Sequence, residues 1–532
     1  HAEAAAFLES VAGDRREEFA ELLAHHLEAA ATDAALAWPD DDARREEIRS
    51  RAVAALVEAG HIVYRRLALE QTQRFGERAL ALAANDQERV FGVELKAHAN
   101  HAALRSDESF GFYLEAIDLA RACGDVDSET RLRSEATLLC VRYGGAFKTP
   151  GWGGRAAAMV QQGLAGVDEH EDTPEAAALL LARAVGLPAW GAGETDPVAA
   201  RRDALRAVAI AERLEFNELL ARALETLGSI VFGQGLCEAE AMGERLIAVA
   251  DRAPGRVELH ETLVVAAMCL ARAGRFDRAR GLVRDSTEQA GRLGPHRALH
   301  AAGAATLALV PSGDLDAFGA ATESVARDAA EDTNGVCSSV ALALAGRALW
   351  LHENGDSAAG ARLAAMVESG RATPRPSPDP LHCIELMRPL LGVEETRERL
   401  RSVPPRKDAT MDVHRLRAGL QVHAVAGDWA EVDRMVAAAD ALATAACAPV
   451  LGFLAQWARA MRSAADGRPD EAVAAATTAT DGLAAFGERY TAARVLADLV
   501  PLLDGPARDE LAETAAARLE AVGARTAAAN LG

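Results

Sequence analysis

A reversal of the chain recurs along this sequence at a step near 40 residues, and that recurrence limits the possible folds more than any other feature. Short glycine turns stand at FGQGL (Gly235), RAGRF (Gly274), PSGDL (Gly313), ENGDS (Gly355), VAGDW (Gly427) and ADGRP (Gly467), at steps of 39, 39, 42, 72 and 40 residues. The long step holds two units, with LLGVEE around Gly392 as the turn between them. The clearest unit is LVVAAMCLARAGRFDRARGLVRDS, residues 263 to 286, in which an apolar-periodic helix and a turn precede a second helix with Phe276, Ala279, Leu282 and Val283 on one stripe. A lone helix pair cannot cover its apolar face, so a repeat of this length predicts antiparallel pairs stacked on one another. Carried backwards, the step reaches Gly193, Gly151, Ser106 and Gly60. The expected fold is an all-α solenoid of about eleven helical hairpins, wound as a right-handed superhelix around one quasi-one-dimensional core.

Composition agrees with many thin helices. Aromatic residues are 4% of the chain, whereas alanine fills runs such as EAAALLLARA and EAVAAATTATDGLAA. Alanine favours helix and lets helix axes approach closely. The net charge is −22, lysine occurs only at Lys96, Lys148 and Lys407, and the arginines are interleaved with acids. An acidic surface without a basic patch argues against direct nucleic-acid or anionic-membrane binding. The run ALATAACAPVLGFLAQWA, Ala441 to Ala458, reads as the end of one helix and the start of another at Pro449, not as a membrane span. Seven scattered cysteines without a CxxC pair read as small core residues in a reducing cytosol.

The divisions expected are an N-terminal helical segment (1–50), a first part of the solenoid (51–368), a Pro-rich loop (369–380), a second part (381–505) and a C-terminal capping helix (506–532). The loop SGRATPRPSPDP carries four prolines and cannot be helical. Because the chain opens on His1 and not Met, it reads as a piece of a longer polypeptide.

The turn phrases resemble tetratricopeptide repeats, with Gly274-Arg275-Phe276 and Ala279 the best match and Gly467 with Ala472 and Gly427-Asp428-Trp429 following. They depart from that family in length and in lacking the first-helix tryptophan. A wider resemblance runs through EFAELLAHHLEAA, REEIRSRAVAALVEAG, RRLALEQTQRFGERALALA and YLEAIDLARACGDVDSETRLRSEATLL. These phrases look like the tetratricopeptide-like arm of bacterial signalling ATPases that carry an adenylate/guanylate cyclase domain or a LuxR-type output domain. The resemblance implies a non-catalytic cytoplasmic sensor region whose partners are the upstream ATPase domain of the same chain and a protein, peptide or small ligand. It implies no cofactor in this segment, ATP and Mg belonging to the upstream module. GGAFKTPG has a Lys-Thr pair without phosphate-loop spacing. A transcriptional regulator's arm and a free-standing peptide adaptor are the alternative readings.

Candidate sites are few. His25 and His26 are adjacent on a helix and point about 100° apart, so they are read as unable to share a metal, with His26 in a seam of Phe19, Leu22, Leu23, Leu27 and Ala30. His296 with His300, and His98 with His101 near Glu94, have spacings that share a face and would hold zinc if a neighbouring repeat supplied a third ligand. Neither pair has an HExxH glutamate, and packing is the plainer reading, so no metal site and no catalytic residue is assigned. The ligand-binding candidates are Trp152 and Trp190, one repeat apart amid glycines, with Tyr143, Lys148 and Arg155 beside them. Gap-filling between hairpins is the alternative for the tryptophans.

Overall fold

Left-handed backbone at the turns ends the helices where the glycine steps predict. Gly151, Gly235, Gly274, Gly313, Gly355, Gly392, Gly427 and Gly467 all have positive φ between helices. The computed structural model of the chain describes every residue except 167, 169–170, 194–195, 253–255, 292, 372–379, 405–408 and 532. Among the described residues the secondary structure is helical throughout, without a strand, and consecutive helices pack in order as antiparallel pairs. The expected all-α solenoid is therefore observed. Most of the Pro-rich loop lies outside the described residues, between helices Ser357–Arg371 and Pro380–Leu391.

Two details of the sequence reading are corrected. Gly60 does not make a turn: it lies inside helix Asp42–Arg65, where a Cβ would meet Leu95 at 2.5 Å. The reversal comes at Leu67, a leucine with φ of 61°, which gives no compositional signal. The helix Arg16–Thr32 buries Ala20, Leu23, Ala24, Leu27 and Ala30 and leaves Leu22 exposed, so the seam is rotated from the expected stripe and His26 is only half-buried. The rings of His25 and His26 also turn together, and their nitrogens lie within 4.8 Å of one another and of His1.

The chain divides into two compact units, His1–Ala223 and Leu224–Gly532. In the first, helices Asp42–Arg65, Leu69–Leu82, Asp86–Ala102, Ser106–Cys123 and Val126–Arg142 stack in succession. Their spacing is set by backbone contact: a Cβ on Gly76 would meet the Gly92 carbonyl at 2.8 Å.

The second unit does not keep to a one-dimensional core. Turns about 210 residues apart in sequence touch one another, and they do so in register. Leu236 N–H donates to the Ala446 carbonyl at 2.8 Å, beside a disulfide between Cys237 and Cys447, residues 210 apart. One repeat on, Gly274 packs on the Phe486 ring and Gly487 on the Phe276 ring. A further repeat on, Gly313 packs on Val522, Leu315 N–H donates to the Val522 carbonyl, and Arg525 pairs with Asp316 at 2.8 Å. Three turns thus lie against three turns with the period of the repeat. The reading of all seven cysteines as unpaired core residues is corrected here. Cys237 and Cys447 lie at turns, and only the tertiary course of the chain brings them together, while Cys140, Cys269 and Cys383 are buried thiols as expected.

Two measurements check this description. Denatured, unreduced protein should expose five alkylatable cysteines, and reduction should raise that to seven and cost about 2–4 kcal/mol in unfolding free energy. In helix Pro295–Leu309, a Cβ on Gly303 would stand 2.4 Å from the Ser339 carbonyl, so Gly303→Ala should destabilise by about 2 kcal/mol. In helix Phe276–Ala290, Gly281 faces open space, and Gly281→Ala should stabilise by about 0.5–1 kcal/mol in the same denaturant titration.

Candidate functional site

The first unit carries a cavity of about 490 Å³ along one side of the stack. Helices of several repeats contribute to it: Tyr64 from Asp42–Arg65, His98 and His101 from Asp86–Ala102, Tyr113 from Ser106–Cys123, Arg131 and Glu135 from Val126–Arg142, and then Phe216 and Arg222. Helix residues one or two turns apart share a face, and the repeat sets corresponding faces side by side. A wider hollow of about 820 Å³ lies elsewhere in the unit. Its acids are already matched by basic partners, Glu17 by Arg65, Glu58 by Arg16 and Glu88 by Arg49.

Glu135 is the centre of the smaller cavity's polar wall. It accepts from His98 Nε2 at 2.6 Å and from the Tyr113 hydroxyl at 3.1 Å, with Arg131 Nη1 3.6 Å away. Since Tyr113 donates to Glu135, its oxygen is left to accept from His101 Nδ1 at 3.3 Å. Arg131 also reaches back to the buried Glu94, with one contact at 2.8 Å. Tyr64 stacks on the His98 ring, centroids 5.4 Å apart. The combination of Glu94, His98 and Glu135 has ligand-like spacing for a metal, but the Arg131 guanidinium already supplies the positive charge between the two carboxylates.

Burial alone would lower the His98 pKa, but the adjacent Glu135 carboxylate, and then Glu94, hold it up at about 9. Burial would likewise raise Glu135, and the His98 imidazolium followed by Arg131 brings it down to about 2. The pair is therefore charged across the physiological range. Burial is also the main influence on Glu175 at the far wall, raising its pKa against the pull of Arg133.

The residues expected to bind a ligand stand in the same unit, in a neighbouring aromatic cluster. Trp152 and Trp190 meet edge to face with centroids 5.8 Å apart, and Phe147 stacks on Trp152 at 4.1 Å. Tyr143 is buried against the His101 ring at 5.6 Å, so it backs the cavity wall. Lys148 and Arg155 are exposed, Arg155 lying over the Phe110 ring. The residues that sequence reasoning missed, Glu135, Tyr113, Arg131 and Phe216, had one available signal. Glu135 lies 37 residues beyond His98, and Arg131 lies 37 beyond Glu94, one repeat in each case. His98 and His101 do not converge on one point as a metal pair would: one goes to Glu135, the other to Tyr113.

No described protein family and no curated protein matches the chain. Among solved structures, the yeast Tom70 crystal structure aligns over 90% of this chain and 96% of its own, at 11% identity and a TM-score of 0.28. The fold described above rests on this chain's own helices.

The His98–Glu135 pair gives a pH test. The folded pKa of His98 lies above its ordinary value of 6.5, so its contribution is complete below that pH and lost as pH rises through about 9. The folded pKa of Glu135 lies below the ordinary 4.5, so its contribution is present above that pH and lost as pH falls through about 2. His98→Gln should cost about 2 kcal/mol at pH 6, and the difference from the parent protein should shrink at pH 10, read by urea unfolding at both values.

Proposed function

We propose that this chain is the non-catalytic sensor and scaffold region of a multidomain cytoplasmic signalling ATPase, and that the cavity of its first unit receives what it senses. The cavity carries the reading. Its volume of about 490 Å³ suits a small molecule or the end of a peptide, and its walls combine aromatic faces with charges of both signs. Tyr64 and Phe216 offer apolar surface, while Arg131 and Arg222 stand near Glu135 and Glu218, so a dipolar ligand would find a partner at each end.

The signalling context is drawn from the EFAELLAHHLEAA resemblance. On that reading, ATP, Mg and the cyclase or LuxR-type output belong to modules outside these residues, and the upstream ATPase domain is the partner within the parent chain. Helices from several successive repeats line the cavity, so a ligand filling it would favour one stacking of those repeats over another. No helix among the described residues is long and apolar enough to cross a membrane.

Phe216 is the residue with which to test the cavity, because it is 41% exposed and its removal leaves no buried gap. Amino acids, dipeptides and nucleotides should be screened by thermal shift on the whole chain. At least one should stabilise it, and Phe216→Ala should weaken that binding about tenfold or more while leaving the unliganded melting temperature unchanged. The context is tested in the parent protein. ATP hydrolysis and output should change when residues 1–532 are removed, and a parent gene without an upstream ATPase module would overturn the assignment.

A further inference from the structure

His296 and His300 lie one turn apart on helix Pro295–Leu309, both buried, in the second unit. Their Nε2 atoms point at the same sulfur. Cys337, the residue that begins helix Ser338–Glu353, places its Sγ 3.2 Å from His300 Nε2 and 3.7 Å from His296 Nε2. The three donor atoms all lie within 4.8 Å of one another. The opposite ring nitrogens are each tied to a carboxylate. His296 Nδ1 meets Asp332 Oδ2 at 2.7 Å, and His300 Nδ1 meets Glu261 Oε2 at 3.1 Å. Asp332 is held in turn by the backbone and side-chain nitrogens of Asn334, both at 3.0 Å, and Glu261 lies 3.3 Å from the buried Arg297.

We propose that His296, His300 and Cys337 form a binding site for a divalent transition metal of the zinc class, with Asp332 and Glu261 orienting the two imidazoles and a fourth coordination position left to water or an exogenous ligand.

Three independent features of the geometry agree. A tetrahedral zinc with bonds of about 2.0–2.1 Å to nitrogen and about 2.3 Å to sulfur separates its nitrogen and sulfur ligands by roughly 3.6 Å. The observed 3.2 and 3.7 Å bracket that value, so both nitrogen–sulfur spacings suit a shared ion. A carboxylate on each Nδ1 keeps the proton there and turns the Nε2 lone pair to the metal, the arrangement that metal-bound histidines use. The donor set of two imidazoles and one thiolate favours zinc, cobalt or copper over magnesium or calcium. The site would tie two neighbouring repeats together, with Cys337 37 residues beyond His300 and Glu261 39 residues before it.

Cobalt is the probe, because thiolate ligation gives a charge-transfer band that histidine-only sites lack. The whole chain, stripped with a chelator and titrated with Co²⁺, should develop that near-ultraviolet band together with the intense visible bands of a four-coordinate ion, saturating at one equivalent. Cys337→Ser should abolish the charge-transfer band while circular dichroism remains that of the parent. Asp332→Asn should retain the band but weaken cobalt and zinc affinity about 10–100-fold. Zinc should protect Cys337 from iodoacetamide. Absence of the band in the parent protein, its persistence in Cys337→Ser, or equal alkylation of Cys337 with and without zinc would overturn the proposal. The last outcome would leave a thiolate–imidazolium cluster in place of a metal site.

Discussion

Close contact between helix backbones is the constraint from which the other properties of this chain follow. Where Gly303 meets the Ser339 carbonyl and Gly76 meets that of Gly92, there is no room for even a methyl group. Alanine lines most of the remaining contacts, as in Ala341, Ala343, Ala345 and Ala348 of helix Ser338–Glu353, all essentially inaccessible to solvent. Each such residue buries little apolar area, and stability must come from many of them acting through a long stack. Large side chains are then needed only where the stack leaves gaps, as at Trp457, whose indole N–H donates to the Val495 carbonyl at 2.6 Å.

Short interhelix distances also bring polar side chains of successive repeats within bonding reach. In the second unit Arg417 donates to Glu385 at 2.7 Å and to both oxygens of Glu488, at 2.7 and 3.0 Å. Nearby, the Tyr490 hydroxyl donates to the buried Glu353 at 2.8 Å. Taking such charges out of water is costly, and removal of one partner strands the other. Their effect is therefore to select one arrangement of the inner helix faces. Together with the turn contacts 210 residues apart, they account for a unit that closes on itself where a simple repeat would stay open.

Helix type, hairpin order and most reversals were legible because glycine at positive φ leaves a mark in the sequence, as at Gly274, Gly313 and Gly427. Leu67 and Glu215 take the same backbone conformation without such a mark, and the reversals they make were not visible, whereas Leu104 and Cys447 also lack it but lie beside the turn expected at Ser106 and the break expected at Pro449. The Trp152–Trp190 contact followed from their one-repeat separation. The cavity was not legible, although the rule that would have found it is the same: Glu135 to His98 and Cys337 to His300 are both offsets of 37 residues. Sequence reading that seeks motifs within a helix overlooks these pairs, because in a stack of hairpins the chemical partner of a residue is its equivalent one repeat away.

The free volume beside the buried networks of the two units bears on where recognition can occur. In the second, the ion network and packed turns leave cavities of only about 40 and 60 Å³ around Arg417 and Tyr490, room for a water or two. In the first, Glu135 and its partners line an opening roughly ten times larger, and their charges are arranged at its wall. A buried network with no space beside it can only fix structure, whereas one that borders an open cavity can exchange part of its hydrogen bonding with a ligand. Of these spaces, the one with room for the organic ligand proposed above is the cavity beside the His98–Glu135 pair. Around Arg417 and Tyr490 the second unit has donor atoms but little volume, and the smallest ligand, an ion, is what the His296, His300 and Cys337 cluster would take.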